Sequence, residues 1–303
     1  MANPLDYFLL EPLRRRHLGL WKFRVAQVLH ERTNGGFDAW YINRSRRLRP
    51  PRELGTPHFV DAASVSGIVG ELDREGCAVL PRKLSDSDIR EIADFAFSTP
   101  AYAVDPAKRV TIKPDAIPRD TARHVWDIEQ IIRIPAVQRL LLDPAFHQIA
   151  QDYLKATPVL SSVTLWIDAP SDKKFGAHQY HYDNDGPGFL KFFFYLTDVE
   201  ADTGAHCFIK GTHAHRKPKA FRLSQIYGDQ VLHDYFGKDK EVMFSAPKGT
   251  IIAEDTAGFH RGSTVLRNHR LLMQFQYSVL DIPSQDELDG RLAPVKQIGR
   301  AHV

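Results

Sequence analysis

The stretch FLKFFFYLTDV, residues 189–199, decides how this chain is read. Its aromatic residues suit a pleated strand, and it closes on a polar Thr-Asp step. VLSSVTLWID lies ahead of it, and AHCFI, EVMFS, GTIIAE and RLLMQFQYSVL lie behind. All are short, rich in β-branched and aromatic residues, and separated by Gly, Pro, Asp and Ser. Regular helices do not alternate with these strands, which disfavours a doubly wound parallel sheet. The pattern predicts an α+β protein, an antiparallel sandwich or jelly roll with helices from the first half packed on one face. One segment, HRKPKAFRLSQIYGDQVLHDYFGKDK at 215–240, interrupts the strands and is expected to form a small helical insertion.

Upstream, the signals are helical. Leu13, Leu18, Leu20, Trp21, Val25, Val28 and Leu29 recur at helical spacing between Glu11 and His30, and Asn34-Gly35-Gly36 ends the pattern. Ser85 is placed to cap a second helix, with Asp88 three residues on as the acidic partner of a capping box. In IPAVQRLLLDPAFHQIAQDYL, Asp143-Pro144 reads as an N-cap followed by proline at the first helical position, which divides the segment into two helices.

The chain has 303 residues, 43% of them hydrophobic and 25% charged, the composition of a globular protein. No run of eighteen or more apolar residues occurs, so no transmembrane segment is expected. The opening MANPLDYFLLEPLRRR lacks the apolar core and cleavage site of a secretory signal. The two cysteines, Cys77 and Cys207, are far apart, which points to a reduced, cytoplasmic protein without a disulfide framework. The net charge of +3 is uneven, because residues 1–60 hold eleven Lys and Arg against five Asp and Glu. Arg44, Arg46, Arg47, Arg49 and Arg52 crowd what reads as a proline-bounded loop. Such a cluster could meet an anionic substrate, a phosphate or a lipid headgroup, but a solvated or internally paired face is the favoured reading. Nothing indicates nucleic acid as a partner.

The densest chemistry is HQYHYDND at 178–185. His181-Tyr182-Asp183 is an H-x-D, and on a strand residues two apart share a face, so both side chains can converge on one ion. With a distant histidine they would complete a 2-His-1-carboxylate triad that leaves positions open for a co-substrate and oxygen. One such match is what chance alone would supply among so many histidines and aspartates. The second motif adds the weight: in GTIIAEDTAGFHRG, His260 sits in what reads as a glycine-flanked turn, and ten residues later Arg270 opens the last strand. That arginine could hold a carboxylate bidentately.

Competing motifs fare worse. His213-Ala214-His215 lacks the glutamate a cupin site would want, and His206 and Cys207, as strand neighbours, face opposite sides. H-E-x-x-H, G-x-S-x-G, Walker and G-x-G-x-x-G patterns are missing, which removes the common hydrolase, kinase and Rossmann readings. A cupin-type metal enzyme and a non-enzymatic β-sandwich that binds a sugar or a lipid surface stay open as alternatives.

Three blocks carry a family resemblance: HYD at 181–183, KFFFYLTDVEADTGAHCFIKGTH at 191–213, and DTAGFHRGSTVLRNHRLLMQFQY at 255–277. With LDREGCAVLPRKLSDSDI at 72–89, they resemble, in that order, the phytanoyl-CoA dioxygenase-like branch of the Fe(II)/2-oxoglutarate-dependent oxygenases. The resemblance implies a double-stranded β-helix (jelly roll), with residues 1–60 as a basic helical extension, 61–285 as the oxygenase domain and 286–303 as a tail. It implies Fe(II) held by His181, Asp183 and His260, with 2-oxoglutarate and O2 as co-substrates. Arg270 would hold the distal carboxylate of 2-oxoglutarate, with Ser263 or Thr264 as hydroxyl helpers and Tyr195 lining that pocket. Trp166, His178, Gln179 and Asn184 become candidates to line a pocket for a small-molecule substrate, anionic or lipid-linked. The chain departs from the family at Lys210, where a proline is usual. A ligand aspartate at 183 argues for hydroxylation and against halogenation; desaturation and ring chemistry stay open. The N-terminal arm is left as a cap, a homodimer contact or a substrate-recruiting arm.

Overall fold

The computed structural model describes residues 25–103, 108–119, 123–171, 176–223 and 225–280. The helical reading of 11–30 lies partly outside these; residues 25–33 are helical (α1), and Asn34-Gly35 turns the chain into α2, Gly36–Leu48. Gly35 has φ 74°, and a Cβ there would lie 2.4 Å from the His215 carbonyl oxygen, so the turn needs glycine. The arginine cluster is only partly a loop, because Arg49 and Arg52 alone flank Pro50-Pro51 outside a helix. Arg44, Arg46 and Arg47 lie on α2, which runs to Leu48 and stops only before Pro50-Pro51, and basic side chains suit the negative end of a helix.

The remaining helices are α3 (Ala62–Glu75), α4 (Asp86–Ser98), α5 (Ile128–Ile131), α6 (Pro135–Leu142), α7 (Pro144–Leu154) and α8 (Asp229–Phe236). Ser85 caps α4: its hydroxyl accepts from the Asp88 amide at 3.1 Å and donates to the Asp88 carboxylate at 2.6 Å. That carboxylate reaches the hydroxyl, where a full capping box would reach the Ser85 amide. Asp143 caps α7 at the Ala145 amide, with Pro144 next. The insertion holds α8 between two 3₁₀ turns, Lys219–Phe221 and Lys238–Lys240.

The strands are β1 (Cys77–Val79), β2 (Ala101–Tyr102), β3 (Arg109–Val110), β4 (Arg123–Val125), β5 (Val159–Asp168), β6 (Phe189–Tyr195), β7 (His206–Ile209), β8 (Glu241–Phe244), β9 (Ile251–Glu254), β10 (His260–Gly262) and β11 (Arg270–Ser278). All pairings are antiparallel, in an eight-stranded sheet ordered β1-β9-β6-β11-β5-β4-β2-β3 and a three-stranded sheet β10-β7-β8. His260 therefore starts a short strand; the expected turn occupies the residues before it, because β10 finds its partner in distant β7.

The alternation in β6 sets the layers. Leu190, Phe192 and Phe194 join a core with Val65, Ile92 and Phe146 from the helices. Phe193 and Tyr195, on the opposite face, pack with Trp166, Phe208 and Phe244 between the two sheets. The same parity turns Lys191 of β6, Glu254 of β9, Asp168 of β5 and Arg270 of β11 toward that inner face, and all four are buried.

The N-terminal segment is part of this packing. Ile42 shares a cluster with Leu154, Ala156 and Val279, Arg46 donates to the Leu154 carbonyl, and Gln27 donates to the carbonyl of Asn184 at 3.2 Å. Among the described residues no helix is long and apolar enough to cross a membrane.

Candidate metal centre

His181 and His260 face each other across a reciprocal backbone pair, each amide donating to the other's carbonyl at 3.1 and 2.9 Å. The Asp183 amide donates to the Thr256 carbonyl at 2.8 Å. These bonds hold the extended stretch around His181 against β10. Residues 181 and 183 then point to one side, while buried Tyr182 points to the other and donates to the Arg222 carbonyl.

His181, Asp183 and His260 offer ligand atoms that all lie within 4.8 Å of one another. Asp183 Oδ1 is 3.7 Å from His181 Nε2, and Oδ2 is 3.6 Å from His260 Nε2. On each ring the other nitrogen is occupied. Nδ1 of His181 lies 2.9 Å from the Gln179 carbonyl oxygen, and Nδ1 of His260 lies 3.0 Å from that of Gly258. A carbonyl can only accept, so both rings carry a proton on Nδ1, which leaves Nε2 as the nitrogen turned to the centre. Burial holds His260 down to about 4, so it is neutral and able to ligate. Burial alone would raise the Asp183 carboxyl, but the Lys191 ammonium beside it outweighs burial and keeps the group ionised.

Lys191 is the residue the sequence reading missed. Its ammonium lies 2.6 Å from Asp183 Oδ2 and 2.8 Å from Asp185 Oδ2. Deeper on the inner face, His206 stacks on His260 with ring centres 5.6 Å apart and bonds Glu254 at 2.9 Å. Burial pushes the Glu254 carboxyl up to about 8, so it is neutral at pH 7.

Arg270 is buried on the same inner face, but it is not a bare cation. Its Nε and one terminal nitrogen donate to Asp168 Oδ2 at 3.0 and 2.6 Å, and the other terminal nitrogen donates to the Gly204 carbonyl. Arg123 binds the second Asp168 oxygen at 2.7 Å, and Trp166 adds its indole N–H. Burial opposes ionisation of Asp168, yet the two guanidiniums bring it down to about 2. The Tyr195 hydroxyl ties the sheets together, donating to the Phe244 carbonyl and accepting from the His206 amide. Ser263 turns away from the centre toward Cys207, with Oγ and Sγ 3.5 Å apart, and Thr264 is half-buried with no side-chain bond among the described residues. His178 ends a 3₁₀ turn, Gly176–His178, and is buried; Gln179 and Asn184 are half-buried, the Gln179 carbonyl meeting His181 and the Asn184 carbonyl accepting from Gln27. His213 and His215 lie elsewhere, His213 against Gly76 and His215 beside Asp38.

No protein-family model and no curated protein sequence matches the chain. Solved structures do. The non-heme alpha-ketoglutarate-dependent epimerase SnoN from nogalamycin biosynthesis superposes with a TM-score of 0.53 at 14% identity, over 72% of this chain and 84% of that one. EctD from S. alaskensis in its apoform gives 0.51 at 16% identity over 76% and 80%. The non-heme alpha-ketoglutarate-dependent carbocyclase SnoK from nogalamycin biosynthesis gives 0.50 at 16% over 79% and 95%. This chain shares their fold. At such identities the likeness is one of architecture.

Proposed function

We propose that this chain is an Fe(II)- and 2-oxoglutarate-dependent oxygenase that hydroxylates an aliphatic C–H bond of a small molecule, with release of succinate and CO2. The observation that carries this reading is the convergence of the two Nε2 atoms and one ionised carboxylate within 4.8 Å of one another. Two imidazoles and one aspartate suit Fe(II) and leave half of an octahedral sphere open. Bound there, Fe(II) with 2-oxoglutarate would supply the O2 activation that C–H oxidation requires. The protein's part is to hold both rings in one tautomer through the Gln179 and Gly258 carbonyls and to keep Asp183 charged.

The two sheets are read as the double-stranded β-helix, with residues 61–285 as the oxygenase domain. Arg270 is assigned to the distal carboxylate of 2-oxoglutarate, because two guanidiniums around the single charge of Asp168 leave a positive excess on the inner face. Tyr195 borders that guanidinium, and Trp166 and His178 are candidates for the substrate side. The two cysteines are free and buried, which suits a cytoplasmic setting.

The test is anaerobic addition of Fe(II) and 2-oxoglutarate. A weak visible charge-transfer band is expected in the wild type and not in His181→Ala; its absence from the wild type overturns the reading. Succinate release then serves to screen substrates. Because fold relatives include an enzyme named as an epimerase and one named as a carbocyclase, product analysis should follow stereochemistry and ring closure as well as hydroxylation.

A further inference from the structure

Lys191 is the one charged side chain in the aromatic strand β6, and its side chain is 9% exposed. Burying an ammonium is costly unless it is paired and hydrogen-bonded. This one is paired twice, with Asp183 Oδ2 at 2.6 Å and Asp185 Oδ2 at 2.8 Å. The three groups together carry one negative charge. Had only Asp183 been present, the lysine would cancel the charge that a metal ion needs. Asp185 supplies the second carboxylate, so a full negative charge remains for the ion.

The geometry divides the two oxygens of Asp183. Each oxygen faces one ring, Oδ1 at 3.7 Å from His181 Nε2 and Oδ2 at 3.6 Å from His260 Nε2, but only Oδ2 accepts a hydrogen bond from Nζ. A cation on Oδ2 competes with a metal for that oxygen and leaves Oδ1 as the better donor. The distinction matters for coordination number. Two imidazoles and one carboxylate oxygen leave three positions of an octahedron; a chelating carboxylate would leave two, which a bidentate 2-oxo acid fills completely.

Resting on the oxygenase reading above, we propose that Lys191 is a positioning residue that restricts Asp183 to a single ligating oxygen, and that Asp185 is the counter-charge that keeps this lysine from weakening the site. Together they preserve the position at which O2 would bind. Asp185 stands two residues beyond the H-x-D and has the same parity, so its role is ligand restraint and not ligation.

The experiment uses the full-length protein loaded anaerobically with Fe(II) and 2-oxoglutarate, with nitric oxide as a paramagnetic substitute for O2 read by EPR. In Lys191→Met the charge-transfer band should persist while nitric oxide affinity falls about tenfold or more, the scale of losses seen for outer partners of metal ligands. Lys191→Arg, which keeps a cationic donor, should restore much of that affinity. Asp185→Asn leaves the lysine charge on Asp183 alone and should weaken Co(II) binding to the protein without 2-oxoglutarate by about tenfold. Wild-type nitric oxide affinity in Lys191→Met overturns the restraint, and unchanged Co(II) affinity in Asp185→Asn overturns the counter-charge. If Lys191→Met does not fold, nitric oxide affinity in Lys191→Gln decides the restraint in its place, with the same two outcomes. A missing band in the wild type would instead fail the oxygenase reading.

Discussion

Gly258 shows how closely single residues are committed around His260. Its carbonyl accepts from His260 Nδ1, and a Cβ at this position would lie 2.3 Å from the Phe208 ring. Gly258→Ala should therefore displace either the ring or the carbonyl and lower Co(II) affinity by roughly 10–100-fold, as loss of a ligand's outer partner does; unchanged affinity in a titration refutes the assignment. Asp168 is a second such residue. Asp168→Asn would leave Arg270 and Arg123 around a neutral amide, and removing one partner of a buried pair costs about 3–5 kcal/mol, measurable by urea unfolding. At this scale the sequence was informative where chemistry restricts residue type: His181, Asp183 and His260 stand in one cluster, and Arg270 opens β11 as expected. The partners were hidden. That Asp168 faces Arg270 depends on the register of β5 against β11, which is a cross-strand fact that no local pattern carries. Lys191 could have been found by parity, since it shares a face with Phe193 and Tyr195 in an otherwise apolar strand.

Among elements, the helix ends were the most legible feature because their signals are local. Ser85 and Asp143 both cap as their positions suggest, so Ser85→Ala and Asp143→Ala should each cost about 1 kcal/mol in chemical denaturation. Pro50-Pro51 misled the reading of the arginines, since prolines mark where a helix must have ended and not how far before them it begins to unwind. β10 was hidden for the opposite reason: three residues make a strand only when β7 lies alongside. Helix α1 also has a consequence for the centre. It packs behind the stretch that carries His181 and Asp183, with Gln27 on the Asn184 carbonyl and His30 beside the Tyr182 ring. A chain shortened to begin at residue 61 is expected to lose Co(II) affinity along with thermal stability; retention of both would show that α1 is dispensable.

For the whole molecule, buried titratable groups set the response to pH. Burial brings His147 to about 4, His206 to about 3 and His260 to about 4, all below the ordinary 6.5. The folded chain then binds fewer protons than the unfolded one, so this stability is complete above pH 6.5 and is lost as the pH falls toward the folded values. Glu254 acts in the other direction. Its carboxyl is raised from 4.5 to about 8, so its contribution is complete below 4.5 and is lost as the pH rises through 8. The imidazoles outweigh the carboxyl below 6.5, and the carboxyl dominates from there toward 8, where the buried Lys217 ammonium, brought from 10.5 to about 8, begins to act the other way. The metal-free protein should melt highest at about pH 6–7, and a melting temperature that climbs steadily to pH 8 would refute this balance. The antiparallel strands after Val159 and the helices packed against them were legible from composition and apolar periodicity, whereas the division into a large and a small sheet depends on cross-strand pairing that no local pattern carries. The reciprocal backbone pair between His181 and His260 has one more consequence, and it concerns folding. Its two halves are separated by all of β6, β7, β8 and β9, so the pair closes a long loop, and such contacts are slow to form. A metal titration during refolding would therefore act as a clock, reporting the arrival of the most distant contacts and not the first collapse of the chain.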